Sequence, residues 1–225
     1  MTRKQIAALF ASAFLVALIS LPLVACDGDG GGNGGGNGGG GETPAPTDVP
    51  RTTCKPAEPV VLSTPTDLPQ GLIEYQSPDR GYRVRYPSDW QVKPNTIAVQ
   101  GIAGDAFFTT APAGEIKPNM SVACETIPIG TTSQQYADAK REVVLRLIGK
   151  RPDIEKTLTV DDKEAFSVKY AVEVGKTPEP VTVEKIEVFF TDDLGGWTVG
   201  LTAPQGTIET YRTVFDAFVQ SFRGS

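Results

Sequence analysis

The chain has 225 residues, 40% of them hydrophobic and 21% charged, with a formal net charge of −6 and no histidine. Without histidine, Ser-His-Asp and Cys-His catalytic arrangements are excluded, and zinc would need an uncommon ligand set. The acidic balance, with no basic stripe to offset it, argues against a nucleic-acid partner.

Arg3 and Lys4 open the chain and an apolar run from Ile6 to Ala25 follows, broken only by Ser12, Ser20 and Pro22. A basic start, an apolar core and small residues before a cut make a secretory leader. The run is long enough to span a bilayer. However, Pro22 breaks a helix near its end, and no basic stop-transfer cluster follows Ala25. Leu23-Val24-Ala25-Cys26 resembles the lipobox of bacterial lipoproteins. The resemblance implies removal of residues 1–25 and a diacylglyceryl thioether on Cys26. Two or three acyl chains hold firmly where one does not. The expected location is the cell envelope, lipid-anchored on the outer side of the cytoplasmic membrane, with the outer membrane as the other destination.

From Asp27 to Gly41 the sequence is nearly all Gly, and from Glu42 to Pro69 it turns to Pro and Thr. Neither composition can bury enough apolar surface to order itself, so residues 26–69 are expected to form a disordered tether. A flexible coil of about 44 residues reaches roughly 35–40 Å r.m.s.. No strand precedes the glycines and no Gly-Lys-Ser/Thr follows them, which excludes a phosphate loop. Residues 70–225 have the size of one domain. Losing Arg3 and Lys4 with the leader takes the charge from −6 to −8. Such a surface does not favour lying flat on anionic lipid, so the membrane link is expected to be the anchor alone.

Within the domain, alternation dominates. In "GYRVRYPSDW" Tyr82, Val84 and Tyr86 share one face of a half-buried strand, Arg83 and Arg85 take the other, and Pro87 ends it. Met120, Val122 and Cys124 alternate likewise, as do Phe166, Val168, Tyr170, Val172 and Val174, and then Trp197, Val199, Leu201 and Ala203. The run "VTVEKIEVFF" changes phase: Val181 and Val183 have one parity, Ile186, Val188 and Phe190 the other. A bulge near Glu184-Lys185 would restore a single apolar face. Turn residues at Asp161-Asp162-Lys163, Gly175-Lys176-Thr177-Pro178 and Asp192-Asp193-Leu194-Gly195-Gly196 separate these strands, which must then be antiparallel.

Two stretches have helical period. Tyr136, Val143, Val144, Leu147 and Ile148 form one stripe, with Lys140, Arg141 and Arg146 mostly outside it. Thr132 and Gln135 suit a capping box, and Gly149 and Pro152 close the helix. At the end of the chain Ile208, Tyr211, Phe215, Phe218, Val219 and Phe222 recur at three and four residues, with Thr207 as expected N-cap. This stripe suits the cover of an apolar sheet face. The expected fold class is α+β, a central antiparallel sheet of about 6–8 strands flanked by helices.

"GYRVRYPSDW" resembles the Gly-aromatic-x-aliphatic-x-aromatic-Pro-x-x-Trp opening of PsbP-like domains, a fold shared by the extrinsic photosystem II protein and a Ran-binding nuclear import factor. The strand "WTVGLTAP" followed by "YRTVFDAFVQSFR" resembles their ending, and the likeness runs roughly from Gly71 to Arg223. It implies an α/β/α sandwich and docking or assembly roles rather than a reaction. No residue carries over a photosynthetic role.

The candidate site residues are few. Cys26 is the lipidation site. Cys54 and Cys124 either pair as an extracytoplasmic disulfide, or stay apart as a free thiol in the tether and a small buried hydrophobe. Asp161, Asp162, Asp192 and Asp193 are weak divalent-cation candidates, because Asp is favoured in turns and their spacing lacks the convergence a hard cation needs. Asn119-Met120-Ser121 matches a glycosylation sequon, read as coincidence beside a bacterial lipobox. The leading expectation is a non-enzymatic module, without catalytic residues or cofactor, that binds an unidentified protein partner or assists assembly. The alternatives are a carrier of a small apolar ligand between sheet and helix, a divalent-cation-binding domain and a carboxylate-based hydrolase.

Overall fold

The computed structural model describes residues 49–56, 71–99, 101–110, 116–175 and 180–224. The expected leader, Cys26, most of the tether and positions 176–178 of one predicted turn lie outside them. A two-stranded antiparallel ribbon comes first, β1 (Leu72–Gln76) with β2 (Arg83–Pro87). Then follow β3 (Trp90–Val99), β4 (Ile102–Thr109), β5 (Asn119–Glu125) and helix α1 (Ser133–Ile148). The second half holds β6 (Ile154–Val160), β7 (Lys163–Val174), β8 (Val181–Thr191) and β9 (Gly196–Pro204). A 3-10 turn (Ile208–Tyr211) leads into α2 (Arg212–Ser221). No helix among the described residues is long and apolar enough to cross a membrane.

Strands β3 to β9 form one seven-stranded sheet in the order β3-β4-β5-β9-β8-β7-β6, antiparallel at each junction. It is two meanders, β3-β4-β5 and β6-β7-β8-β9, zipped together by β5 and β9. Helix α1 carries the chain from the middle of the sheet to its far edge and packs on β7 and β8. Helix α2 and the ribbon cover the opposite face. The architecture is the expected α+β sandwich.

The core has two layers, one per face. On the α2 side, Phe215, Phe218 and Phe222 are buried, and each sheds apolar surface worth about 1.5–3 kcal/mol. Two of the rings close on those of the sheet: Phe218 on Phe107 at 5.0 Å, Phe222 on Phe190 at 5.1 Å and on Trp197 at 5.2 Å. Tyr82 of the ribbon stacks on Phe222 at 5.6 Å. The stripe is thus core, as its period suggested. On the α1 side, Tyr136 and Val144 pack with Phe166, Val168, Val172, Val183 and Phe189.

Three expectations need correction. Strand β8 carries no bulge: its register runs unbroken from Phe166↔Phe189 to Val174↔Val181, and from Val183↔Pro204 to Thr191↔Gly196. Both faces of β8 are covered, so Val183 and Phe189 serve one core layer while Ile186, Val188 and Phe190 serve the other. The phase change recorded two covered faces, not one face interrupted. Thr207 holds the expected N-cap position, but of a 3-10 segment and without a capping side-chain bond; its hydroxyl donates to Pro204 O instead. Residues 49–56, expected in the tether, pack on the domain: Thr52 N donates to Ile127 O at 2.9 Å and Cys54 N to Leu194 O at 2.8 Å. These bonds satisfy backbone groups that would otherwise be left open at the end of the sheet.

At α1 the capping box is present in both directions: Gln135 N donates to Thr132 Oγ1, and Thr132 N to Gln135 Oε1. Gly149, at φ 72°, takes the left-handed position that ends the helix.

Candidate functional site

Among the described residues, the buried charged groups gather in two places, one on each face of the sheet. On the α2 side, Asp105 of β4 is fully buried. Four donors converge on its carboxylate: Ser77 Oγ at 2.9 Å, Arg80 Nη1 at 3.0 Å, Tyr82 Oη at 2.6 Å and Asn95 N at 2.8 Å. Arg80 uses its other terminal nitrogen on Asn95 Oδ1 at 2.6 Å. Asn95 is at φ 54°, a left-handed position that Asn tolerates better than most residues, and this aims its N–H at the carboxylate. Burial, and the Asp105 charge beside it, push the Tyr82 hydroxyl well above its usual pKa, so it stays a donor. Tyr75, next in the ribbon, is raised to about 12 by the same causes in the same order.

On the α1 side the sheet floor carries Glu125, Lys185 and Glu187, all buried. Lys140 reaches down from α1 to pair with Glu125 Oε2, which also accepts from Tyr136 Oη at 3.2 Å. Tyr136 Oη lies 3.1 Å from Thr198 Oγ1. One strand pair away, Lys185 Nζ meets Glu187 Oε1 at 2.9 Å, and Tyr170 Oη donates to Glu187 Oε2 at 2.9 Å. The two carboxylates therefore have the same dressing, one lysine and one tyrosine each. Burial first, then the neighbouring carboxylate, raise both tyrosines well above their usual range. Buried ion pairs satisfied this way can hold a single arrangement of helix on sheet, at a desolvation cost an apolar floor would not carry.

Lys140, expected mostly outside the helical stripe, is 6% exposed and lies between Tyr136 and Val144 at spacings of four. That spacing was the available signal; the residue type concealed it. Glu125, Lys185 and Glu187 were not singled out either. The alternation of β8 places Lys185 and Glu187 in phase with Val183 and Phe189, on a covered face.

Of the predicted site residues, Cys26 lies outside the described residues. Cys54 and Cys124 are joined by a disulfide, 70 residues apart in sequence. Gly195 is pressed against it: a Cβ there would stand 2.6 Å from Cys124 Sγ and 2.8 Å from Cys54 Sγ. Gly196 is equally confined, with Tyr136 Cε2 at 2.5 Å from a Cβ position. Asp161 and Asp162 occupy a two-residue hairpin turn with φ 48° and 61°, a conformation in which Asp is favoured. Asp161 Oδ2 accepts from Gly224 N at 2.7 Å, while Asp162 is exposed. Asp192 Oδ1 accepts from Leu194 N at 2.8 Å and Gly195 N at 3.0 Å, shaping the β8–β9 turn. Its carboxyl is held above the usual range by burial, against the lowering effect of the Leu194 and Gly195 N–H groups. Asp193 is exposed. Asp161 and Asp192 approach one another around Gly224, but among the described residues no three acidic or cysteine side chains converge as a metal site. Asn119 lies buried in β5, and its amide donates to Lys117 O.

No family model matches this sequence, and no curated protein does. Among solved structures, the cyanobacterial PsbP (CyanoP) of Synechocystis sp. PCC 6803 matches with a TM-score of 0.50 at 16% identity, over 73% of this chain and 99% of that one. A Bacteroides thetaiotaomicron VPI-5482 protein gives 0.42 at 14% identity, over 69% of this chain and 49% of its own. LpqN of Mycobacterium tuberculosis, described as involved in cell envelope biogenesis, gives 0.38 at 13% identity, over 67% and 90%. With 99% of that cyanobacterial chain matched at a TM-score of 0.50, this chain carries a PsbP-like fold.

Proposed function

We propose that this protein is an envelope lipoprotein, held by acyl chains on Cys26 at the outer side of the cytoplasmic membrane. Its PsbP-like domain acts as a non-enzymatic module that binds a protein partner or helps assemble a complex. The observation that carries the reading is the closed pairing of the buried charges. Asp105, Glu125 and Glu187 each hold their own cation and their own tyrosine hydroxyl. A carboxylate that works as general acid or base must exchange a proton with a substrate within hydrogen-bond reach. These three are committed to protein partners. The aromatic stripe of α2 is likewise engaged with sheet rings, which weighs against a carrier of apolar ligands at that layer.

Two measurements test the reading. Growth with labelled palmitate should mark the wild-type chain and not a Cys26→Ser variant; equal labelling removes the anchor. Capture from detergent-solubilised membranes with the full chain should retain proteins that a chain truncated after residue 69 does not. The same proteins on both baits would mean that the domain offers no partner surface.

A further inference from the structure

Among the described residues, three large hydrophobic side chains stand in solvent, and the two most exposed lie together. Ile129 is 66% exposed and Val49 57%. Ile129 N donates to Pro50 O at 3.0 Å, so the loop after β5 and the segment leading to Cys54 run side by side. Arg51 bridges to Pro128, and its Nη2 donates to Thr126 O at 2.8 Å. The result is an aliphatic tip, Val49-Pro50 beside Pro128-Ile129, fixed to the sheet by the Cys54–Cys124 bond a few residues on.

The place of this tip says what covers it. The described residues begin at Val49, so the tether expected from Cys26 reaches the folded unit at this tip rather than at its far side. About 22 residues, the first 15 of them Gly-rich, separate Cys26 from Val49, and a flexible chain of that length reaches roughly 23–28 Å r.m.s.. The disulfide makes this the relevant length; counted to β1 the tether would be twice as long. A short leash holds the tip at high effective concentration beside the bilayer, where a contact too weak to act alone becomes populated. The charges at this end include Arg51, Lys163 and Arg223 as well as Asp161, Asp162 and Asp193, so they give no net pull toward anionic lipid. Contact there rests on the aliphatic residues.

We infer that the Val49–Ile129 tip seats on the lipid surface, and that the domain stands on the membrane at this end instead of swinging free. The inference rests on the anchor proposed above and revises the expectation that the anchor is the sole membrane contact. It also orients the molecule. Strand β9 runs nine residues away from the tip, so the β9 exit at Gln205 and the β7–β8 end face outward, roughly 30 Å further from the bilayer.

Neutron reflectometry of the acylated full chain on a supported phosphatidylcholine bilayer tests this. A Val49→Ser/Ile129→Ser variant, checked for folding by circular dichroism, is compared with the wild type. The expected profile is wild-type protein density continuous with the headgroups and, in the variant, a hydrated gap of roughly 20–30 Å. A gap in both, or contact in both, overturns the inference while leaving the anchor intact. A wild-type layer of double thickness that the variant loses would assign the tip to a second copy and overturn it too. Protein that washes off the bilayer altogether removes the anchor and the inference with it.

Discussion

The Tyr82 hydroxyl donates to Asp105 Oδ2 at 2.6 Å and so ties the two-stranded ribbon to the main sheet by a bond wholly inside the protein. With Ser77 and Arg80 on the same carboxylate, the turn between β1 and β2 is fixed by one side chain of β4. This gives the Gly-aromatic-x-aliphatic-x-aromatic stretch its role. Tyr82 is the ribbon's polar rivet as well as part of its apolar face, stacked on Phe222. Asp105→Ala leaves Arg80 buried without its charge partner and should cost about 3–5 kcal/mol in urea unfolding. Tyr82→Phe removes one donor of four and should cost about 1–3 kcal/mol. Equal, small losses for both would mean that the carboxylate is not the organising group.

Helix α1 is keyed to the sheet by Lys140 and Glu125. Lys140→Met strands a buried carboxylate and should lose about 3–5 kcal/mol. Adding Glu125→Gln removes the stranded charge, so the double variant should recover part of that loss, with a coupling of about 1–3 kcal/mol in the cycle. Strict additivity would show that the two groups do not depend on one another.

Much of the fold was legible because alternation and helical period report burial directly. The five-residue series on β7 and the phenylalanine stripe of α2 lie where their spacing places them. Lys140, Lys185, Glu187 and Glu125 were not legible as a set. Each occupies a buried position by phase, yet each carries a side chain whose usual place is solvent, and pattern reading weighs residue type first. Glu125 on β5 meets a lysine from α1, and a single sequence holds no record of that pairing; Lys185 and Glu187 stand two apart on one face of β8, a spacing the sequence does show. The bulge assigned to β8 failed for a related reason. The bulge reading gave β8 a single apolar face, whereas α1 and α2 cover both sides.

The disulfide and Gly195 form one unit. Opening the bond by Cys54→Ser/Cys124→Ser frees a loop of 70 residues and should cost about 4 kcal/mol in the chain-entropy account. A thiol count on denatured, unreduced protein should find neither cysteine reactive. Two free thiols would show that the bond does not form in the cell. Gly195→Ala places a methyl within van der Waals distance of both sulfurs and should cost about 1–3 kcal/mol, and it should also raise the fraction of unbridged protein.

Alkaline pH offers a test of the buried tyrosines. Tyr82, Tyr136 and Tyr170 are held above their ordinary value first by burial and then by an adjacent carboxylate. In the unfolded chain a tyrosine ionises near pH 10. A group whose folded pKa is raised contributes stability that is complete below the unfolded value and is lost as pH rises toward the folded one. Stability should therefore hold to about pH 10 and fall above it. Of the six tyrosines, these three should yield phenolate absorbance at 295 nm only as the far-ultraviolet circular dichroism collapses. Reversible ionisation of all six with the dichroism intact would mean that solvent reaches the Glu125, Glu187 and Asp105 clusters, and that their charges are not sealed between helix, ribbon and sheet.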